Sequence, residues 1–455
     1  MFIRQLRSLF LFCLISCSLS AADAQPDITE AHFFDADILP AIQEKLSLAQ
    51  NSIICAAYEL NNREIIDTLK ERKSHGISVE VVLARQHPDK AHHTNQLIDE
   101  LSTVDIPVWQ TWDYAHDKIL IIDNKTVITG SFNYTNAALN QRNNSIVITA
   151  NNQAAHDQVI APYINHIIRQ QHRSNAENNA SQTYRLPALP EYCIESTDAQ
   201  LCRCGPVFAE PLYPPQQIAP NSITNLLCAA LSQAKHSISC AYFDFDNEEI
   251  AQELCEISKK KIAVDIIACY WQINQKIEKE YRERLRALMQ LAAEKTRPGS
   301  KISLIGHRPA HQIMHNKYMI IDDKILLTGS ANATKQANKQ WENVYVTIKP
   351  TSIAAFKEYF ARLVQEALPI TLSTFTPATP VAMLHQSPDR PRHWAPQRFV
   401  RTGPMQPPSL RAQRMLLSAF ADTQANTTPL KRANTTDSDI SDRETKRANS
   451  PGVLD

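Results

Sequence analysis

The chain has 455 residues, 43% of them hydrophobic, which is enough for two to three domains with cores of their own. Lys plus Arg and Asp plus Glu each number 47, so the formal net charge is zero and no global positive field marks a polyanion binder, although a local basic groove is compatible with that total. Only eight glycines occur, and neither G-x-G-x-x-G nor G-x-x-x-x-G-K-[ST] is present, so the usual glycine-rich phosphate cradles are excluded and a bound phosphate must be held largely by side chains.

Residues 1–24 begin with Arg4 and Arg7, continue through an apolar stretch from Leu9 to Leu19 and end in Ala21, Ala22 and Ala24, the order of a secretory signal. The apolar stretch is well short of the ~20 residues that span a bilayer. A secreted or periplasmic protein is expected. Leu14-Ile15-Ser16-Cys17 has the form of a lipobox, which leaves open an outer-membrane lipoprotein anchored through Cys17. A first domain is expected over 25–176. Within it, N-S-I-I-C-A-A-Y-E-L-N-N-R-E-I-I-D-T-L at 51–69 reads as a buried strand, a polar turn and an amphipathic helix, and Ser78–Ala84 reads as a second strand. Residues 177–220, rich in Asn, Ser, Pro and Ala, read as a linker. Export predicts a disulfide from Cys193 to Cys202 or Cys204 there, and the paired C-x-x-C spacing of a zinc site is absent.

A second domain, 221–370, repeats the first. H-S-I-S-C-A-Y-F-D-F-D-N-E-E-I-A-Q-E-L at 236–254 matches 51–69, and Ala263–Cys269 is the corresponding second strand. Strands alternating with helices predict a layered α/β sheet, with Cys55 and Cys240 as small core residues. The offset between copies is 185 residues from Ser52 to Ser237 but 199 from His116 to His315, which places an insertion in the charged helical segment Gln275–Lys295. Residues 371–455, with many prolines, arginines scattered over Arg390–Arg414 and K-R-A-N at 431–434 and 446–449, read as a disordered tail.

The chemistry-bearing residues are duplicated as well. H-D-K-I-L-I-I-D carries His116, Lys118 and Asp123, and H-N-K-Y-M-I-I-D carries His315, Lys317 and Asp322. Gly130, Ser131 and Asn133 follow the first, and Gly329, Ser330 and Asn332 the second, with 17 residues from His to Asn in both. Two histidines can divide the roles of nucleophile and acid in an attack on a phosphodiester, because an imidazole titrates near pH ~6.5. Lysines and asparagines supply donors to the phosphoryl oxygens, and no metal or cofactor is called for. If His and Lys lie two apart on one strand, they project to the same face, whereas Asp123 and Asp322 lie opposite and suit bracing of the turn. His307, His311 and His315 are spaced by four, but Pro309 breaks the helix that a metal site would need. His92 and His93 read as exposed, and Trp109 and Trp112 as cleft or core residues.

On these residues the chain resembles the phospholipase D superfamily, whose H-x-K-x4-D and G-S-x-N pattern both copies satisfy, and the resemblance covers roughly residues 28–365. It implies two similar α/β domains, each a mixed β-sheet flanked by helices, related by a pseudo-two-fold with the active site at their interface. Both motifs lie in one chain, so a monomer can be active. The resemblance further implies that His116 and His315 share the phosphohistidine and acid–base roles, with His116 favoured as nucleophile. Lys118, Lys317, Asn133 and Asn332 would clamp the phosphate, and Ser131 and Ser330 would support it. A glutamate that orients a catalytic histidine is matched by Glu342, 27 residues after His315, but the equivalent position after His116 is Asn143. The two histidines are therefore expected to differ in pKa and in role.

Three readings of function follow. A phospholipase D would hydrolyse a phosphatidylcholine-like headgroup ester to phosphatidic acid, with association at a membrane surface. A metal-independent endonuclease would cut DNA or RNA at the same site. A non-catalytic module would only bind anionic ligands, which two complete His-Lys pairs argue against. Export and neutral charge favour lipid slightly. The residues following the motifs, G-S-F-N-Y-T-N-A-A and G-S-A-N-A-T, resemble small bacterial nucleases of the superfamily more than cardiolipin synthases.

Overall fold

A computed structural model describes residues 25–85, 88–111, 114–176, 205–210, 223–260, 262–269, 302–305 and 313–369, all within one compact unit. The expected signal, the disulfide cysteines, the charged helix at 275–295, His307, His311, Trp112 and the tail lie outside the described residues.

The first half opens with β1 (Ile28–Phe34) and α1 (Ile38–Ser47), then β2 (Ser52–Ala57), α2 (Arg63–Ser74), β3 (Ser78–Leu83), α3 (Pro88–Ser102) and β4 (Val108–Gln110). It continues with β5 (Lys118–Ile122), β6 (Thr126–Gly130), β7 (Gln141–Arg142), β8 (Asn144–Ala150) and α4 (Ala161–Ala176). Its sheet runs β1-β8-β6-β5-β2-β3-β4; β2, β3 and β4 are parallel neighbours, and the β5 side is antiparallel. The second half adds β9 (Gly205–Ala209), α5 (Ile223–Ser232), β10 (Ser237–Tyr242), α6 (Glu248–Lys259), β11 (Ala263–Cys269), β12 (Ile302–Ile305), β13 (Ile313–Met314), β14 (Lys317–Ile321), β15 (Ile325–Gly329), β16 (Glu342–Thr347), α7 (Pro350–Glu366) and β17 (Leu368–Pro369). Its sheet order, β17-β12-β11-β10-β14-β15-β16-β9, repeats the plan of the first. The fold is thus mixed α/β, two sheets flanked by helices.

Local chemistry explains the repeat. The central strands β5 and β14 are buried along their whole length, so apolar runs without alternation form them. Asn62 caps α2 by accepting from the Ile65 N–H at 3.1 Å, and Asn247 caps α6 by accepting from Glu249 at 3.0 Å. One face of each sheet packs α1, α2 and α3, or α5 and α6; the other packs α4 or α7. The inner clusters cross the halves. Phe208 and Tyr345 join the core under α4, while Phe34 of β1 packs with the core under α7 and stacks on Tyr359 with centroids 4.2 Å apart.

The strand β9 corrects the sequence reading. Gly205–Ala209 falls inside the span read as linker, yet it pairs antiparallel with β16 as β1 pairs with β8. Among the described residues no helix is long and apolar enough to cross a membrane.

Candidate active site

Backbone pairing between the halves places each histidine. Ala115 bridges Trp341, and the His116 N–H donates to the Trp341 carbonyl at 2.8 Å. Reciprocally, β13 pairs in parallel with β7, and the His315 N–H donates to the Arg142 carbonyl at 2.8 Å. The histidines therefore do not lie on the strands that the two-residue spacing suggested. They sit in the crossings just before β5 and β14, with Lys118 and Lys317 as the first strand residues.

The same crossing exchanges the orienting side chains. His116 Nδ1 lies 2.8 Å from Glu342 Oε1, and His315 Nδ1 lies 3.0 Å from Asn143 Oδ1. Each histidine is thus held by the other half, whereas the 27-residue spacing links Glu342 in sequence to His315. Asn143 spends its Nδ2 on the Ala138 carbonyl at 3.1 Å, so its oxygen must face the imidazole. A carboxylate likewise only accepts. Both histidines are consequently protonated at Nδ1, and both have Nε2 left for chemistry.

Two serines set these acceptors. Ser330 Oγ donates to Glu342 Oε2 at 2.5 Å, and Ser131 Oγ donates to Asn143 Oδ1 at 3.1 Å. The preceding glycines permit that closeness: a Cβ on Gly130 would meet the Asn144 carbonyl at 2.3 Å, and one on Gly329 the Asn343 carbonyl at 2.2 Å. Lys118 and Lys317 are each 1% exposed, and each donates from Nζ back to the carbonyl of its own histidine. Lys317 Nζ is also 3.3 Å from His315 Nε2. Asn133 and Asn332 follow three residues after the ends of β6 and β15, the strands that pair antiparallel with β5 and β14. Among the described residues neither Asn133 Oδ1 nor Asn332 Oδ1 has a hydrogen-bond partner, although both are buried. Asp123 and Asp322 lie elsewhere: they accept the N–H groups of Gln50, Asn51 and Ser52, and of Lys235, His236 and Ser237.

Burial governs the electrostatics. It pushes the Lys118 ammonium down to about 8, opposed by the charges of Glu342, Asp117 and Glu59. Burial and the neighbouring Lys118 hold Lys317 well below its ordinary range. Burial, with Lys317, Lys118 and His116 adding repulsion, depresses His315 strongly. Burial also lowers His116, but there the Glu342 carboxylate pulls back toward the charged form. Although burial opposes ionisation of Glu342, His116, Lys118 and Ser330 keep it an anion. Two lysines, both pushed toward the neutral form by burial, face one carboxylate and make a site whose charged form a bound phosphoryl group would favour.

The sequence reading missed several neighbours. The Tyr58 ring lies edge-on to His116 at 5.1 Å with Lys118 Nζ 5.3 Å from its centroid, and Phe243 lies 4.7 Å from His315 with Lys317 Nζ at 5.2 Å. The offset of 185 pairs these two aromatics, so the repeat held the signal. Asp117, His166 and Asn343 had no such mark. His92 and His93 are exposed on α3, and Trp109 is a buried core residue.

Comparison with known proteins agrees with this geometry. A family model described as "Cardiolipin synthase, PLD-like domain" matches residues 42–166 and again 227–364, together more than half of the chain. The chain belongs to the phospholipase D superfamily. Among curated relatives, a "Phospholipase D" of Rickettsia conorii is 30% identical over 125 residues, 27% of this chain and 61% of that protein. A "Mitochondrial cardiolipin hydrolase" of Xenopus laevis is 25% identical over 195 residues, 41% of this chain and 78% of the relative. The chain spans less than two thirds of the length of the rickettsial relatives it matches. The crystal structure of phosphatidylserine synthase from Haemophilus influenzae Rd KW20 superposes with a TM-score of 0.57 at 14% identity, over 78% of this chain and 91% of that one, and shows the fold alone.

Proposed function

We propose that the chain is a phosphodiesterase that hydrolyses a phospholipid headgroup ester through a phosphohistidine intermediate. The observation that carries this reading is the crossed pair of Nδ1-anchored histidines, each backed by a buried lysine. His116 Nε2 attacks phosphorus and the P–O bond to the headgroup breaks, its oxygen taking a proton from His315 Nε2. Water then attacks phosphorus, passes a proton to His315 and releases His116. Glu342 favours His116 as the nucleophile, because its carboxylate stabilises the positive charge that the imidazole acquires on forming the P–N bond. His315, lacking such a carboxylate, gives up its proton readily, and an anionic phosphodiester bound beside it raises the fraction protonated beforehand. Lys118, Lys317, Asn133 and Asn332 hold the non-bridging oxygens.

The names of the curated relatives, phospholipase D and cardiolipin hydrolase, support a lipid substrate, as does the export expected from residues 1–24. The residues after Asn133 and Asn332 keep nucleic acid as the competing substrate. The test presents the purified chain, in EDTA, with phosphatidylcholine vesicles, cardiolipin vesicles and plasmid DNA in parallel. Phosphatidic acid or choline released, or cardiolipin consumed, is the expected result. Nicking of plasmid alone would replace lipid by nucleic acid, and loss of all activity on adding EDTA would contradict the two-histidine mechanism.

A further inference from the structure

Directly behind His116 lies a buried ionic cluster that the proposed reaction does not use. Asp117, the residue between His116 and Lys118, is 1% exposed, and His166 of α4 is fully buried. His166 Nε2 lies 2.7 Å from Asp117 Oδ2, which also accepts from Gln170 Nε2 at 2.7 Å. The opposite ring nitrogen, Nδ1, faces Glu210 Oε1 at 3.6 Å, and that carboxylate is paired with Arg169 Nε at 2.5 Å. Phe208 stacks on the imidazole at 4.2 Å, and Trp341 meets it edge-on at 5.3 Å. An imidazole with a carboxylate on either side, sealed by two rings, is shifted toward the cation: burial opposes the charge, but Asp117 and Glu210 prevail and raise its pKa.

The cluster continues toward the catalytic pair. Asp117 Oδ1 accepts from Asn343 Nδ2 at 2.7 Å, and that amide also lies 3.1 Å from Ser330 Oγ. The Asn343 N–H donates to the same hydroxyl at 3.0 Å. With its lone pairs engaged by Asn343, the Ser330 hydroxyl has its proton left for Glu342 Oε2, and Glu342 Oε1 holds His116. We propose that Asp117, His166 and Glu210 form a buried positioning unit that, through Asn343 and Ser330, fixes the Glu342 carboxylate against His116.

The other half supplies a control. Where Asp117 stands, it has Asn316, whose Nδ2 reaches the Tyr359 hydroxyl at 3.3 Å. Asn144, the counterpart of Asn343, turns its Nδ2 to Thr328 Oγ1 at 2.7 Å, while Asn343 instead accepts from Thr129 Oγ1 at 2.8 Å with Oδ1. A carboxylate at 117 can only accept, so it dictates that the Asn343 amide presents its NH2 inward. On the His315 side the Asn143 N–H donates to Asp35, which pairs with Arg142, so a carboxylate braces the backbone there, whereas the Asp117–His166 unit leads through side chains to the orienting carboxylate itself.

The inference rests on His116–Glu342 being the catalytic pair, but its test needs no turnover. The His116 imidazole is titrated by NMR in the full chain, assigned by its loss in His116→Gln. His166→Gln keeps a donor for Asp117 and removes the cation. Through space alone, losing a cation would raise the His116 midpoint; loosening Glu342 lowers it. The unit predicts a downward shift on the order of 0.5 pH unit, in the direction produced by Glu342→Gln, and no further shift when the two changes are combined. Gln170→Leu, which alters no charge, should give a smaller downward shift, and it serves if His166→Gln does not fold by circular dichroism. An unmoved or raised midpoint, or an equal shift without the Glu342 carboxylate, would overturn the proposal. Absence of lipid or DNA cleavage would instead count against the proposed function and leave this result standing.

Discussion

Around His116 and around His315 the chain builds the same frame with different chemistry. Both histidines enter on a strand crossing, both are anchored at Nδ1 by the opposite half, and both precede a buried lysine. Yet His116 faces a carboxylate backed by the Asp117–His166 cluster, while His315 faces the amide of Asn143, whose backbone N–H donates to Asp35, itself paired with Arg142. The geometry is shared and the electrostatics are not. The two halves hold equivalent frames, and a handful of differences, Glu342 against Asn143 and Asp117 against Asn316, set their electrostatics apart.

Removing the shared part gives the largest effect. His116→Ala and His315→Ala should each reduce turnover at least ~10⁴-fold, since residues that act as one unit are not additive. Substantial activity in either variant would mean that the halves do not form a single site. Sharpening the difference comes next. Glu342→Gln should lower kcat about 10²–10³-fold, and Asn143→Ala only about tenfold, because the first removes charge stabilisation and the second only orientation. Equal losses would erase the asymmetry.

The alkaline limb of kcat/KM gives a smaller and more diagnostic signal. Burial lowers Lys118 to about 8 and depresses Lys317 as well, so kcat/KM should fall as pH rises through the range in which the two ammoniums lose their protons. Glu342 raises the Lys118 pKa, so Glu342→Gln should move the limb to lower pH, whereas Asn143→Ala should not. Stability carries the weakest signature. His315 has a folded pKa below its unfolded value, so its neutral burial is fully tolerated above pH ~6.5 and costs stability as pH falls from there toward the folded value. His166 has the opposite sign: its contribution is present below pH ~6.5 and is lost as pH rises through its raised folded pKa. Chemical denaturation of His315→Asn should show a shallower loss of stability between pH 7 and pH 5 than the parent chain; an unchanged slope would refute the assignment for His315.

Much of this was legible from residue spacing, for reasons that differ by element. Central strands such as β5, β14 and β11 are buried on both sides, so their composition alone marks them. The motif residues are close in sequence and occur twice, so the repeat itself exposed them. The strand β9 escaped because five residues between Pro- and Asn-rich flanks carry little periodicity, and only its pairing with β16 makes it a strand. Glu342 was found, but its partner was not. Spacing ties it to His315, and the exchange across the halves is a tertiary event. His166 lies among apolar helix residues 49 positions from Asp117, a separation that no local pattern records.

The central claim, one site with a dedicated nucleophile, is tested most directly by trapping the covalent intermediate. The chain and His315→Ala would be mixed with a phosphodiester substrate, quenched in alkali to preserve phosphohistidine, and mapped by peptide mass spectrometry. The asymmetry predicts an adduct on the peptide bearing His116 in the unaltered chain, on no other peptide in His315→Ala, and absent from His116→Ala. An adduct on His315 in the unaltered chain would contradict it.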